Sequence, residues 1–194
     1  MDSKGILFVI SGSSGVGKGT INKKILSNFP DLKLSISATT RPMRPGELDG
    51  REYYFLSNDE FAAKVKDDEF LEFAQVYSHW YGTPKKEVLE NLQQGYDVLL
   101  EIDIQGALNV KKQMPAGVFI FIQPPSIQEL EQRIYGRGKD SRQSIQTRLD
   151  ACHEELAMVK HYDYVVVNDK LDDAVDKVQS IIIAERCRVK YFKE

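Results

Sequence analysis

The chain is short of cysteine, histidine, positive charge and long apolar runs, and each shortage removes a class of function. Two cysteines, Cys152 and Cys187, lie far apart with no metal-like spacing. That excludes a disulfide framework and fits a reducing compartment. Three histidines, His79, His153 and His161, form no spaced metal set, and no Ser/His/Asp nucleophile arrangement is present. The 26 Lys plus Arg are outnumbered by 29 Asp plus Glu, for a net charge of −3. No global positive field therefore draws nucleic acid or an anionic membrane, and any phosphate binding must come from local clusters. No apolar stretch approaches the roughly 20 residues that span a bilayer. The opening MDSKGILFVIS passes straight into a core strand, which predicts a soluble, cytoplasmic protein. Repeats, low-complexity tracts and linkers are missing too, so 194 residues with 42% hydrophobic content predict one domain, 1–194, carrying insertions.

What is present is a glycine loop between a strand and a helix. Ile6-Leu7-Phe8-Val9-Ile10 leads into GSSGVGKGT, and Ile21, Ile25, Leu26 and Phe29 follow at helical spacing. The glycines allow successive N–H groups to turn inward around an anion at a helix N-terminus, and the lysine reaches the outer phosphates. Gly12, Ser13, Ser14, Gly15, Val16, Gly17, Lys18, Gly19 and Thr20 are thus the expected phosphate cradle. In the usual loop a Ser or Thr directly follows the lysine and holds Mg²⁺. Here Gly19 stands in that place and Thr20 comes one residue later, about 100° around the helix. Thr20 is accordingly a metal candidate that acts directly or through water. The GKGT variant resembles the loop of small nucleoside monophosphate kinases more than that of GTPases.

Periodicity predicts strands at Leu32–Ser37, Tyr53–Phe55, Glu72–Tyr77 and Trp80–Thr83 around a helix from about Asp59 to Lys66. Pro84 suits the first turn of a helix ending at Gly95, and Asp97–Asp103 reads as a buried strand finishing in acids. A helix to about Met114, a strand at Val118–Ile122, a helix from Ser126 to about Tyr135, an amphipathic helix through Ile145 to Val159, a strand at Tyr164–Val167 and a final helix follow. Asp140 with Gln143 is a plausible capping pair for the amphipathic helix. This alternation predicts an α/β fold with a mainly parallel sheet flanked by helices and ligands at the carboxyl ends of its strands.

Several clusters carry chemistry. Arg41 and Arg44, beside Pro42, supply two planar forks able to converge on one phosphate, and the phenols of Tyr53 and Tyr81 can complete that cradle. The same residues also suit a solvated basic loop and core tyrosines. Glu101 and Asp103 share one face at a strand end that should meet the glycine loop, where acids orient Mg²⁺ and its waters or simply cap the next helix. Gly136 and Gly138 flank Arg137 in an arginine-rich segment, 133–148.

The pieces SGSSGVGKGT, SATTRPMRPGE, GREYYF, FLEFAQVYSHWYGT, EIDIQGA, GRGKDSRQSIQTRL and VVND occur in that order over nearly the whole chain. In this the chain closely resembles the guanylate kinase family. The resemblance implies a P-loop kinase core at 1–34 and 96–194, a small mixed α/β GMP-binding insertion at 35–95 and a mobile helical lid at about 133–148. It implies GMP-phosphate contacts from Arg41, Arg44, Tyr53 and Tyr81, and guanine contacts from Ser37, Glu72 and Thr83 with Glu101 at the same site. Guanine offers N1–H and an exocyclic amine to a carboxylate such as Glu72, whereas adenine presents an acceptor at N1. Arg137 and Arg148 correspond to the family's lid arginines, with Arg133 and Arg142 less closely matched, and Asn168 to the turn beside the ATP base. Asn168 and Asp169 would equally serve as a helix cap.

The resulting expectation is an ATP:GMP phosphotransferase acting on GMP and dGMP by direct in-line transfer, with Lys18, Arg41, Arg137 and Arg148 as catalytic residues. Mg²⁺ would accompany ATP, with Asp103 and Thr20 as its candidates. ATP and GMP are the expected partners, nucleic acid and membrane are not, and oligomeric state is left open. Two alternatives are a non-catalytic guanylate-kinase-like scaffold module, which would have a degraded phosphate loop, and a kinase for a ribosyl phosphate, which would not need Ser37, Glu72 and Thr83.

Overall fold

The computed structural model describes residues 5–136 and 155–191. Strand β1, Leu7–Gly12, is buried along its whole length, as a strand covered on both faces must be. Helix α1, Lys18–Asn28, leaves it through the glycine loop. Strands β2 (Lys33–Leu34), β3 (Ala38–Thr39) and β4 (Tyr54–Phe55) precede helix α2 (Asn58–Lys66), the hairpin β5 (Phe70–Val76) and β6 (His79–Pro84), and helix α3 (Lys85–Gln93). Then come β7 (Val98–Glu101), α4 (Ile104–Gln113), β8 (Val118–Gln123), α5 (Ile127–Gly136), β9 (Tyr164–Val167) and α6 (Leu171–Arg186).

Five strands in the order β2-β7-β1-β8-β9 form a parallel sheet. Alternation along β1 assigns its side chains to two cores. Phe8 and Ile10 pack with Ile21 and Ile25 of α1 and with Val175, Val178 and Ile182 of α6. Leu7 and Val9 pack with Val88 and Leu92 of α3 and with Ala107 and Val110 of α4. Helices thus cover both faces, and the carboxyl ends of β1, β7 and β8 open where the strand order turns back.

A second, mixed sheet, β4-β3-β6-β5, is built around Ala38, Phe61 and Phe70. Its helix α2 starts with a capping box between Ser57 and Glu60. Strand β5 reaches into the main core through Leu71, whose carbonyl accepts a 2.6 Å bond from Gln113 on α4. This anchor fixes the height of the next residue, Glu72.

Some expected boundaries move for identifiable reasons. The strand expected over Leu32–Ser37 divides: Ser35 makes a last bond to Leu99, and Ser37 already pairs with Tyr54 in the other sheet. The strand expected over Asp97–Asp103 shortens at both ends, because Asp97 accepts from the Ile6 amide and Asp103 caps α4. Pro84 ends β6 and stands at the N-cap of α3 instead of inside its first turn. Of the expected helix through Ile145 to Val159, the described part ends in a 3₁₀ turn at Met158–His161. Asp140 and Gln143 lie outside the described residues.

Candidate active site

Two glycines give the loop its shape. Gly12 has φ 147° and no room for a Cβ, which would stand 2.1 Å from the Ile122 carbonyl oxygen. Gly17, at φ 101°, caps α1 in the left-handed region, with its own carbonyl accepting from the amides of Thr20 and Ile21. Lys18 opens α1 and donates through Nζ to the Gly12 carbonyl at 2.6 Å and to that of Ser13 at 3.3 Å. The ammonium is thus held over the loop's own backbone. Asn168, buried at the end of β9, donates through Nδ2 to the Val16 carbonyl at 2.8 Å. Its amide stands so close over Gly17 that a Cβ there would meet it at 2.8 Å. Lys170, which follows Asn168 and Asp169, occupies the N-cap of α6 without a side-chain bond of its own.

On the acceptor side, Arg41 is nine-tenths buried and its Nη2 donates to both carboxylate oxygens of Glu47, at 2.8 and 3.0 Å, while Nη1 donates to the Pro42 carbonyl. Burial opposes its charge, but the Glu47 carboxylate more than offsets this and raises the guanidinium above its ordinary value. Glu47 is in turn held low by Arg41 and by the Arg44 amide. Arg41 also lies over the rings of Tyr53 and Phe55. Tyr53 meets Tyr81 edge to face, and its hydroxyl is pushed up to about 12, chiefly by burial and then by Glu101.

Glu72 is 4% exposed and sits opposite Thr83 in the β5–β6 pairing, so that Thr83 Oγ1 donates to its Oε1 at 2.7 Å. Oε2 is buried without a hydrogen-bond partner. Burial raises this carboxyl to about 7, a rise the Thr83 bond limits and the nearby Asp103 reinforces. Glu101, at the end of β7, accepts from the Asn22 amide at 2.8 Å through Oε2. Its carboxylate comes within 3.5 Å of where a Cβ on Gly19 would stand, an ordinary van der Waals contact, so the acid lies directly beside the residue that follows the lysine. Asp103 does cap α4, accepting from Gln105 and Gly106 through Oδ1 alone.

One cleft gathers Gly12, Ser14, Lys18, Ser37, Tyr53, Glu72, Tyr81, Glu101 and Asp103. Thr83 stands behind Glu72, fully buried. Arg41, Arg44 and the exposed Thr20 do not line this cleft. Arg137, Arg142 and Arg148, and the side chain of Arg133, lie outside the described residues.

Val76, Ile102 and Ile104 complete the lining with two polar residues that sequence patterns do not single out, Glu155 and Tyr77. Glu155 is raised by burial, opposed by bonds to the Ser13 hydroxyl and Ser14 amide and by the Lys18 charge, so it sits against the phosphate loop. Tyr77, in the β5–β6 turn, adopts φ 56°, a left-handed conformation uncommon for a side chain of its size. Within the sequence, Glu155 is one of several acids in an amphipathic pattern, and nothing local sets it apart.

The chain is similar to known proteins over nearly its whole length. A family model described as guanylate kinase matches residues 4–185. The chain is 60% identical to a guanylate kinase of Syntrophomonas wolfei, with 98% of this chain and 97% of that one covered. A guanylate kinase of Caldanaerobacter subterraneus is 56% identical over 98% of this chain and 93% of its own. The crystal structure of guanylate kinase from Anaplasma phagocytophilum superposes with a TM-score of 0.83 at 33% identity, covering 98% and 90% of the two chains.

Proposed function

The chain belongs to the guanylate kinase family, and on that premise we propose how its residues carry out the transfer. The protein is an ATP:GMP phosphotransferase that produces ADP and GDP in purine nucleotide metabolism. In the proposed mechanism the amides from Gly12 to Gly19 and the ammonium of Lys18 bind the donor phosphates, with Thr20 at the rim and Asn168 fixing the loop from behind. Arg41, Arg44, Tyr53 and Tyr81 bind the phosphate of GMP. Ser37, Glu72 and Thr83, with Glu101 beside them, read its base. Transfer is direct and in line: a GMP phosphate oxygen forms the new bond to the γ-phosphorus as the bond to the ADP oxygen breaks, with no enzyme-bound intermediate. Arg137 and Arg148 are proposed to offset the charge that spreads over the migrating group.

The family is generally ATP- and Mg²⁺-dependent, and the donor set suits that ion. Glu101 and Asp103 supply hard oxygen ligands beside the phosphate loop, and Asp103 commits only Oδ1 to its cap. Mg²⁺ usually keeps several waters and binds through one or two carboxylates together with substrate phosphates. Asp103 would hold Mg²⁺, with Thr20 acting through water, and the bound ion would neutralise charge on the phosphate oxygens.

The observation that carries this reading is the meeting of Lys18 with Ser37, Glu72 and Tyr81 in one cleft. A coupled ADP-release assay comparing GMP, dGMP, AMP, UMP and ribose bisphosphate tests it. GMP and dGMP are expected to be the acceptors, and equal turnover with AMP would refute the assignment of the base-reading residues. We place the enzyme in the cytoplasm; no helix among the described residues is long and apolar enough to cross a membrane.

A further inference from the structure

We propose that Gly106 sets acceptor specificity in this enzyme: by lacking a Cβ, it gives the Glu72 carboxylate the seat from which it reads guanine. The inference rests on the reading of Glu72 as the acceptor of guanine's N1–H and exocyclic amine. Gly106 is the third residue of α4, and its amide donates to the capping Asp103. A Cβ built on it would stand 2.6 Å from Glu72 Oε2, 3.1 Å from Cδ and 3.4 Å from Oε1, and these are its three nearest neighbours. The space a methyl group would take is therefore occupied by one carboxylate.

Backbone geometry does not call for glycine at this position. Gly106 is not among the glycines with positive φ, and inside a helix glycine is less favourable than alanine. A residue that weakens its own helix and has no torsional reason to be there is explained by what it makes room for. Glu72 cannot give way through its backbone. Leu71 is 2% exposed in the main core, and the Glu72–Thr83 register is set by the β5–β6 pairing. The carboxylate would have to turn about its own torsions, losing the Thr83 bond or swinging Oε2 out of position. A displacement approaching 1 Å at a recognition site is enough to cost on the order of a hundredfold.

The test is Gly106→Ala, compared with Glu72→Gln and with Gly106→Ala in a Glu72→Ala background, using GMP and IMP as acceptors. IMP lacks the exocyclic amine, so its use isolates the carboxylate's second bond. For Gly106→Ala we expect kcat/KM for GMP to fall at least tenfold, the preference for GMP over IMP to shrink, KM for ATP to stay within twofold, and Tm to hold or rise. In the Glu72→Ala background the methyl meets no carboxylate. There Gly106→Ala should raise Tm and leave the residual kcat/KM for GMP unchanged. An undiminished GMP preference in Gly106→Ala overturns the inference, as does a folding defect that Glu72→Ala does not repair. If Glu72→Gln leaves the GMP preference intact, the underlying reading of Glu72 fails and takes the inference with it. If Glu72→Gln abolishes that preference and Gly106→Ala preserves it, Gly106 alone has been misassigned.

Discussion

Replacing Glu72 by glutamine should weaken catalysis and, at pH 8, strengthen the fold, and the pH dependence separates the two effects. Burial raises the Glu72 carboxyl from 4.5 to about 7 in the folded protein. A group whose folded value lies above its unfolded one contributes most when protonated in both states, here below about pH 4.5. That contribution falls as pH rises, and the loss is complete once the pH has passed the folded value. Each tenfold change in an acid's dissociation constant is worth about 1.4 kcal/mol, so ionised Glu72 should cost the unliganded fold on the order of 3 kcal/mol at pH 8. Glutamine can keep the Thr83 bond through its carbonyl but places an amide where Oε2 was, next to no partner. That penalty, about 1–3 kcal/mol, does not change with pH. Urea unfolding of both proteins at pH 5 and pH 8 should therefore show the difference moving in the variant's favour by about 2–3 kcal/mol. At pH 8, where Glu72 is ionised, the variant's kcat/KM for GMP should be roughly 30–150-fold below that of the parent, because the amide presents a donor to guanine's own donors. Stability differences that stay constant from pH 5 to pH 8 would refute the account of Glu72 as a buried, strained carboxylate.

Glu72 must ionise to accept both guanine donors, so KM for GMP should decrease as pH rises through about 7; proton release on GMP binding at pH 6.5, read by calorimetry in two buffers, checks this. Lys18→Ala should lower kcat at least a hundredfold while shifting Tm by only a few degrees, since its ammonium bonds to carbonyls of the loop itself, those of Gly12 and Ser13; a stopped assay with circular dichroism decides. Asn168→Ala should leave the Val16 carbonyl without its amide partner, costing about 1–3 kcal/mol and raising KM for ATP but not for GMP; equal effects on the two substrates would contradict a clamp confined to the donor loop.

What the sequence reveals and conceals here follows from the range of the interactions. The phosphate loop is legible because its determinants are contiguous: the apolar strand, Gly12, Gly17 and Lys18 all act within a dozen residues. The five parallel strands and their covering helices are legible for the same reason, as each announces itself by its own periodicity. Glu72 is different. As a residue type on a short strand it suits an exposed position, and its burial depends on Thr83, Leu71 and Gly106 arriving from β6, β5 and α4. The pairing of Arg41 with Glu47 needs the turn between them. Glu155 meets the phosphate loop from the far end of the chain, a distance no local pattern encodes.

The charges of the described residues explain why two bound nucleotides call for more cations than Lys18. Among the described residues that line the cleft, Glu72, Glu101, Asp103 and Glu155 stand with one ammonium, that of Lys18. The fork of Arg41 is already matched by Glu47. Two nucleotides bring several further negative charges, and in a partly desolvated cleft each unmatched charge is costly. Ionised carboxylates at this cleft thus oppose phosphate unless further positive charge offsets them. The chain has a concentrated reserve in Arg133, Arg137, Lys139, Arg142 and Arg148, set against Asp140. If that reserve supplies the balance, replacing Arg137 or Arg148 by alanine should reduce turnover far more when both substrates are bound than it weakens either nucleotide alone. Titration of each nucleotide beside single-turnover rates would measure the difference, and equal losses in binding and turnover would assign those arginines to simple nucleotide affinity instead.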